Sequence, residues 1–350
     1  MQPTILGGPI GTALQAQGMP SGVCPEQWTI EHPEALRAIQ HGYINAGAQR
    51  IAAPTFGANA IRLGEYGLQD NVAEINKQLV AMTKQNVSND TLIAGNMASL
   101  GLFTPPYGDT AFDELIALYT TQARALHEAG VDYFYVETLT DVVEMRAAIL
   151  AIQDVSDKPI FVSFTCNQKG KTLSGSDIEA ALMIAQSMSV QAFGLNCIAL
   201  DPLPLFARLR SYAEVPLLYL PNAGLPDGDG NYHITPEELT HHHRELATLG
   251  VQYFGVCCGG TAKHIAGIAK NLKGTKVAPP APLHDSITAD NRGVYSVDAP
   301  DGDNFTVNNQ VDLATLLEEQ FFWQAPVRLN AAPEWYDVVK RAYHGIPRWT

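Results

Sequence analysis

The chain has 350 residues, 46% of them hydrophobic, and a formal charge of −14. That length holds one large domain or two ordinary ones, each with a sizeable core. An acidic balance with no basic cluster to offset it excludes nucleic acid and anionic membrane as partners.

No apolar stretch approaches the roughly 20 residues of a spanning helix. The start, Met1-Gln2-Pro3-Thr4-Ile5-Leu6, has no signal-peptide pattern. An odd count of five cysteines fits a reducing compartment better than a disulfide framework. A soluble, cytoplasmic protein is expected.

From residue 4 to about 272, short apolar runs alternate with longer amphipathic ones. The predicted strands are Ile5-Leu6, Arg50 to Ala53, Leu92 to Gly95, Val131 to Val136, Ile160 to Phe164, Ala192 to Leu195, Leu217 to Leu220 and Tyr253 to Val256. Between them, Leu36, Ile39 and Tyr43 share one helical face, and Val142, Met145, Ile149 and Ile152 another. Gly130 and Gly250 follow helical runs and precede strands, as stop signals do. Thr235-Pro236-Glu237-Glu238 is a capping box with proline at the first helical position, opening the seventh helix. Eight strand–helix units match the size of a (βα)8 TIM barrel, with a doubly wound open sheet the alternative.

The barrel is expected over residues 1–273. Residues 274–350 read as a C-terminal extension: a proline-rich linker, an acidic turn-rich stretch, and short amphipathic helices over Val311 to Trp323 and Pro333 to His344. Their aromatics Phe321, Phe322, Trp323 and Trp335 suggest packing on the barrel or a homo-oligomer contact.

Cysteine placement carries the chemistry. Cys197 ends Gly194-Leu195-Asn196-Cys197 after strand six, and Cys257-Cys258-Gly259-Gly260 follows strand eight. In a barrel all three thiols lie at the C-terminal face, where active sites of this fold are built. Three convergent thiolates would bind Zn2+ and leave its fourth position open, the usual catalytic arrangement. The bland alternative, three small buried hydrophobes, suits adjacent cysteines backed by glycines poorly. Cys166 and Cys24 read as structural. His241-His242-His243 is no metal site, because consecutive helical positions diverge by about 100°; a solvated outer face is expected. Gly7-Gly8-Pro9-Ile10-Gly11-Thr12 lacks the spacing of a nucleotide loop.

Several segments together resemble the homocysteine S-methyltransferase family. They are the Asn196-Cys197 and Cys257-Cys258-Gly259-Gly260-Thr261 motifs with His264-Ile265, Pro221-Asn222-Ala223-Gly224-Leu225-Pro226, Val136-Glu137-Thr138, Thr172-Leu173-Ser174-Gly175, and Thr55 to Asn59 leading to Tyr66-Gly67-Leu68. The likeness covers about residues 4–272. It implies a zinc-dependent S-methyltransferase on a barrel, with Cys197, Cys257 and Cys258 as metal ligands and homocysteine sulfur taking the open site. Glu137 would hold the substrate amino group, and backbone amides of Gly7, Gly8, Pro9 and Ile10 its carboxylate. Asn196 and Asn222 stand in the same motifs as candidate substrate contacts, with turn shaping the alternative for Asn222. The family's acid in the first loop is replaced here by Leu6 or Gly7.

The partners implied are a small-molecule thiol acceptor and a methyl donor, either a small sulfonium or betaine compound or a methyl-corrinoid carried by a separate protein. No corrinoid- or folate-binding domain fits the residues after the barrel. A zinc hydrolase or lyase on the same barrel, and a non-catalytic zinc or thiol binder, are the competing functions.

Overall fold

The computed structural model describes residues 1–105 and 107–280, and beyond them 287–289, 293–296, 304–309, 311–312, 328–335, 338–339 and 348–349. Eight parallel strands form the framework: β1 (Thr4–Ile5), β2 (Arg50–Ala52), β3 (Leu92–Ala98), β4 (Tyr133–Leu139), β5 (Ile160–Phe164), β6 (Ala192–Asn196), β7 (Leu217–Leu220) and β8 (Val251–Phe254). Each neighbours the next, and β8 pairs with β1. A bridge between Leu6 and Arg50, with the Gly7 amide donating to the Arg50 carbonyl at 2.8 Å, joins β1 to β2 and closes the ring. The fold is a (βα)8 barrel.

Strand alternation explains the two layers. Along β4, Phe134 and Val136 join the large apolar layer under the helices, while Tyr133 and Tyr135 join the smaller cluster inside the barrel. Apolar faces of the helices complete the outer layer. The helix Pro33–Asn45 buries Leu36, Ile39 and Tyr43. The helix Val142–Gln153 is buried almost all round, including Glu144 and Arg146. Gly130 and Gly250 both adopt positive φ where a helix gives way to a strand.

Two expectations need correction. The fourth strand runs on to Leu139 and is irregular against β5 between Val136 and Leu139. The seventh helix is broken. Thr235 caps Pro236–Leu239 with the expected reciprocal Glu238 contact, and the helix restarts only at His243–Thr248. The break turns His243 inward, so it is not on a solvated face: it is fully buried, stacked on Phe254 at 5.2 Å and edge-on to Tyr219 at 5.7 Å. Burial pushes its imidazole down to about 3, so it is neutral, and neither ring nitrogen has a hydrogen-bond partner.

The extension adds strands where none was expected, all outside the two ranges read as helices. Antiparallel β9 (Ile287–Ala289) and β10 (Val294–Ser296) form one pair, and β11 (Asn304–Val307), β12 (Arg328–Ala331) and β13 (Arg348–Trp349) a parallel sheet. Within the two expected helices the described residues, 311–312, 333–335 and 338–339, are helical, Pro333–Trp335 as a single 3-10 turn. Phe321, Phe322 and Trp323 lie outside the described residues. The linker is tied down: Val277 donates to the Met1 carbonyl and Ala278 to that of Ala247, both at 3.0 Å.

Candidate metal centre and its cavity

The strands β6 and β8 deliver the cysteines. Cys197 follows β6 with φ 56°, a left-handed backbone that a non-glycine residue adopts at a cost, and its amide donates to the Leu220 carbonyl at 3.0 Å. Cys257 is anchored by a 2.7 Å bond from its amide to the Pro221 carbonyl. Behind Cys258, a side chain at Gly259 would start 2.1 Å from the Tyr232 ring, so the tight strand exit requires glycine.

The three sulfurs lie within 4.8 Å of one another, Cys197 and Cys258 at 3.8 Å and Cys257 and Cys258 at 4.0 Å. Thiolates about 2.3 Å from a tetrahedral zinc ion would sit about 3.8 Å apart. The triangle therefore fits such an ion without rearrangement.

Its electrostatics point the same way. Cys197 and Cys257 both donate to the Cys258 sulfur and pull that thiol down to about 3. Cys257 is pushed well up by its contacts with Cys197 and Cys258 and by burial. For Cys197 the contact with Cys257 is lowering, but donation to Cys258 and burial prevail and raise it to about 11. Three crowded sulfurs thus hold a negative charge with two protons where a divalent ion would satisfy all three. Tyr232 adds a hydrogen bond to Cys258; it comes from the loop after β7, and nothing in its sequence context marks it.

Glu137 stands on the irregular stretch of β4, beside Thr138 at φ 61°. Its carboxylate accepts from Asn96 Nδ2 at 2.9 Å and from Asn196 Nδ2 at 3.3 Å. Burial lifts its pKa to about 7; the Asn96 and Asn196 amides pull down and the charge at Cys258 pushes up.

Asn196 is completely buried and links the parts. Its amide nitrogen also meets Thr138 Oγ1 at 2.7 Å and Cys257 Sγ at 3.9 Å, while its oxygen accepts from the Thr138 amide and from Ser163 Oγ. Ser163 in turn meets the Tyr135 hydroxyl at 2.8 Å. Asn196 is thus a positioning residue rather than a cavity wall.

Asn222 likewise stays out of the wall. Its side chain hydrogen-bonds Cys197, and its oxygen is buried without a partner.

The cysteines and Glu137 open onto a cavity of about 560 Å³ running into the barrel. Its opposite wall includes Leu6, Gly7, Gly8, Pro9, Ile10, Ala52 and Ala53, with Arg50 and Tyr133 deeper inside. Gly8 is required by Tyr43: an added Cβ would lie 2.7 Å from the ring, whose hydroxyl donates to the Pro9 carbonyl. The predicted amide cradle is thinner than expected. The Gly7 amide is used by Arg50 and proline has no N–H, leaving Gly8 and Ile10 to offer. Among the remaining cysteines, Cys24 meets the buried Glu26 carboxylate, and Cys166 stands apart from the triangle with its thiol pushed up by burial.

Comparison with known proteins follows this geometry. The homocysteine S-methyltransferase family profile matches residues 4–272. Methionine synthase from Mycobacterium tuberculosis (strain ATCC 25618 / H37Rv) is 29% identical over 293 residues, covering 77% of this chain but 24% of that protein. The chain thus spans about a quarter of the length of this curated relative. The homocysteine methyltransferase MmuM from Escherichia coli superposes in its metallated form with TM-score 0.66 at 20% identity, and in its oxidized form with 0.63 at 23%. Both alignments cover 77% of this chain and 96% of MmuM, and at such identity they establish the shared fold.

Proposed function

The chain belongs to the homocysteine S-methyltransferase family, and from that membership we propose that it moves a methyl group from a donor to a thiol, homocysteine first among candidates, at a zinc site made by Cys197, Cys257 and Cys258. The observation that carries this reading is the sulfur triangle, spaced for a tetrahedral ion and open on one side to a ligand-sized cavity. Zinc bound there would keep a substrate thiol ionised near neutral pH, the nucleophilic form that methyl transfer needs.

The chain's own residues do the rest. Glu137, held by Asn96 and Asn196, presents a carboxylate to the ligand's ammonium group. The amides of Gly8 and Ile10 are offered to its carboxylate. Asn196 and Asn222 fix Cys257 and Cys197 from behind, as outer partners of metal ligands do. In the transfer the acceptor sulfur forms a bond to the methyl carbon from the side opposite the leaving group. The bond from carbon to the donor breaks, its electron pair leaving with the donor.

The donor reading favours a methyl-corrinoid on a separate protein over a free sulfonium or betaine compound. Phe56, Tyr107, Leu173 and Leu225 are exposed in loops that follow β2, β3, β5 and β7, apolar groups at the cavity end of the barrel that a docking carrier could cover. Thiol ligands of this kind must stay reduced, which supports a reducing compartment such as the cytoplasm. No helix among the described residues is long and apolar enough to cross a membrane.

The experiment is calorimetric titration of L-homocysteine into protein of measured zinc content. Binding that requires the metal is expected. A zinc-loaded protein that ignores every thiol offered would refute the reading.

A further inference from the structure

Five charged side chains line the cavity: Glu26, Arg50, Arg62, Glu65 and Glu137. Four of them are accounted for. Arg62 and Glu65 pair with each other at the mouth, at 2.9 Å. Glu26 accepts from the Gly57 amide, and Glu137 is held by Asn96 and Asn196 at the level of the cysteines. Arg50 is different, because it forms no ion pair with any described carboxylate.

Its guanidinium instead lies among three aromatic rings, 5.1 Å from Tyr133, 5.3 Å from Phe161 and 5.1 Å from Tyr253. Rings hold a cation in place without neutralising it. They leave most of the five N–H donors of the fork uncommitted, only the Tyr133 hydroxyl being in reach. A partly buried cation beside an open cavity is a strong site for an anion, and a planar fork suits a carboxylate.

The depth of this site selects the ligand. On β4 Glu137 marks the cysteine level and Tyr133 the level of Arg50. At about 3.3 Å per residue the two levels are roughly 13 Å apart along the strand. Between them the wall carries the small Ala52 from β2 and the Tyr135 ring from β4. A ligand with sulfur at the cysteines and a carboxylate on Arg50 must be longer than homocysteine.

We propose that Arg50 is a specificity-determining residue that lets the cavity take, beside homocysteine, an elongated mercapto-carboxylate acceptor whose anionic end it receives. The inference rests on the thiol-acceptor reading above and names the class of thiol.

The test is calorimetry of zinc-loaded protein with mercaptohexanoate, with mercaptohexanol as the uncharged partner of equal length, and with homocysteine. Wild-type protein is expected to bind the acid roughly 10- to 100-fold tighter than the alcohol, the range of one charge-assisted hydrogen bond. Arg50→Met should bring that ratio close to one, and Arg50→Lys should keep part of it. A wild-type ratio near one overturns the assignment, even if homocysteine binds well and thiol transfer stands. So does an Arg50→Met protein that loses thermal stability yet keeps the ratio, which would make Arg50 a structural plug. If no thiol binds, the acceptor reading itself falls, and this inference with it.

Discussion

The two walls of the cavity are built on different principles. The wall from β4, β6 and β8 is over-determined: Asn196 alone contacts Glu137, Thr138, Ser163 and Cys257, and two non-glycine residues, Thr138 and Cys197, are held at positive φ. The wall from β1 and β2 is small and smooth, with Leu6, Gly7, Gly8, Pro9, Ala52 and Ala53 and a single deep charge at Arg50. Strained, fully bonded backbone costs stability and persists where geometry matters. On the proposed function, the first wall would fix the reacting sulfur and the second would decide what else a ligand carries.

If that division holds, damage to the first wall should be the more severe. Cys258→Ala removes the sulfur on which the other two converge. Zinc content should fall from about one per chain towards zero, a larger loss than the roughly 10–100-fold that outer-partner changes produce. Metal analysis after dialysis reads it directly, and a retained ion would break the comparison at its centre.

Next comes Glu137→Gln, which keeps the Asn96 contact but removes the charge. Homocysteine binding should weaken by about 1.5–3 kcal/mol. The pH profile sharpens this. Glu137 is raised to about 7, so it is protonated below that pH and a carboxylate only above it. Affinity for an ammonium ligand should rise as pH increases through about 7, and the rise should vanish in the glutamine variant. L-methionine is the better probe here, having no thiol to titrate.

Much of the first wall was legible in the sequence. Strand-ending cysteines with glycines behind them are local signals, and so is Glu137 closing an apolar run. The second wall was not. Arg50 looked like the polar start of β2, and only closure of the ring places it beside Tyr133, Phe161 and Tyr253, residues from three other strands. His243 misled for a related reason. Helical periodicity assumes an unbroken helix, and the chain breaks between Leu239 and His243, turning a surface pattern into a buried ring. The strands of the extension went unread because they pair across the chain, β11 with β12 and β12 with β13, where short-range periodicity carries little signal. Asn196 was read as a candidate substrate contact, and its burial behind Glu137, where it bonds Glu137, Thr138 and Ser163, cannot be read from its motif.

The smaller effects separate the walls more finely. Asn196→Ala should leave the three ligands in place but free Glu137 and Thr138, costing roughly 10-fold in zinc affinity, at the lower end for an outer partner. An unchanged affinity would mean that the strained backbone holds the cysteines without it.

On the opposite wall, Ala52→Leu adds bulk to the cavity between Arg50 and the cysteines. Overpacking there should cost about 1–3 kcal/mol of stability at most, because the new side chain enters open space rather than a filled core. Zinc content should not change at all. Thiols long enough to pass Ala52 should bind less well, while homocysteine, confined near the sulfurs, should be unaffected. Equilibrium binding of a short and a long thiol to the same zinc-loaded variant makes the comparison internal. Equal losses for both would show that the two walls act as one surface.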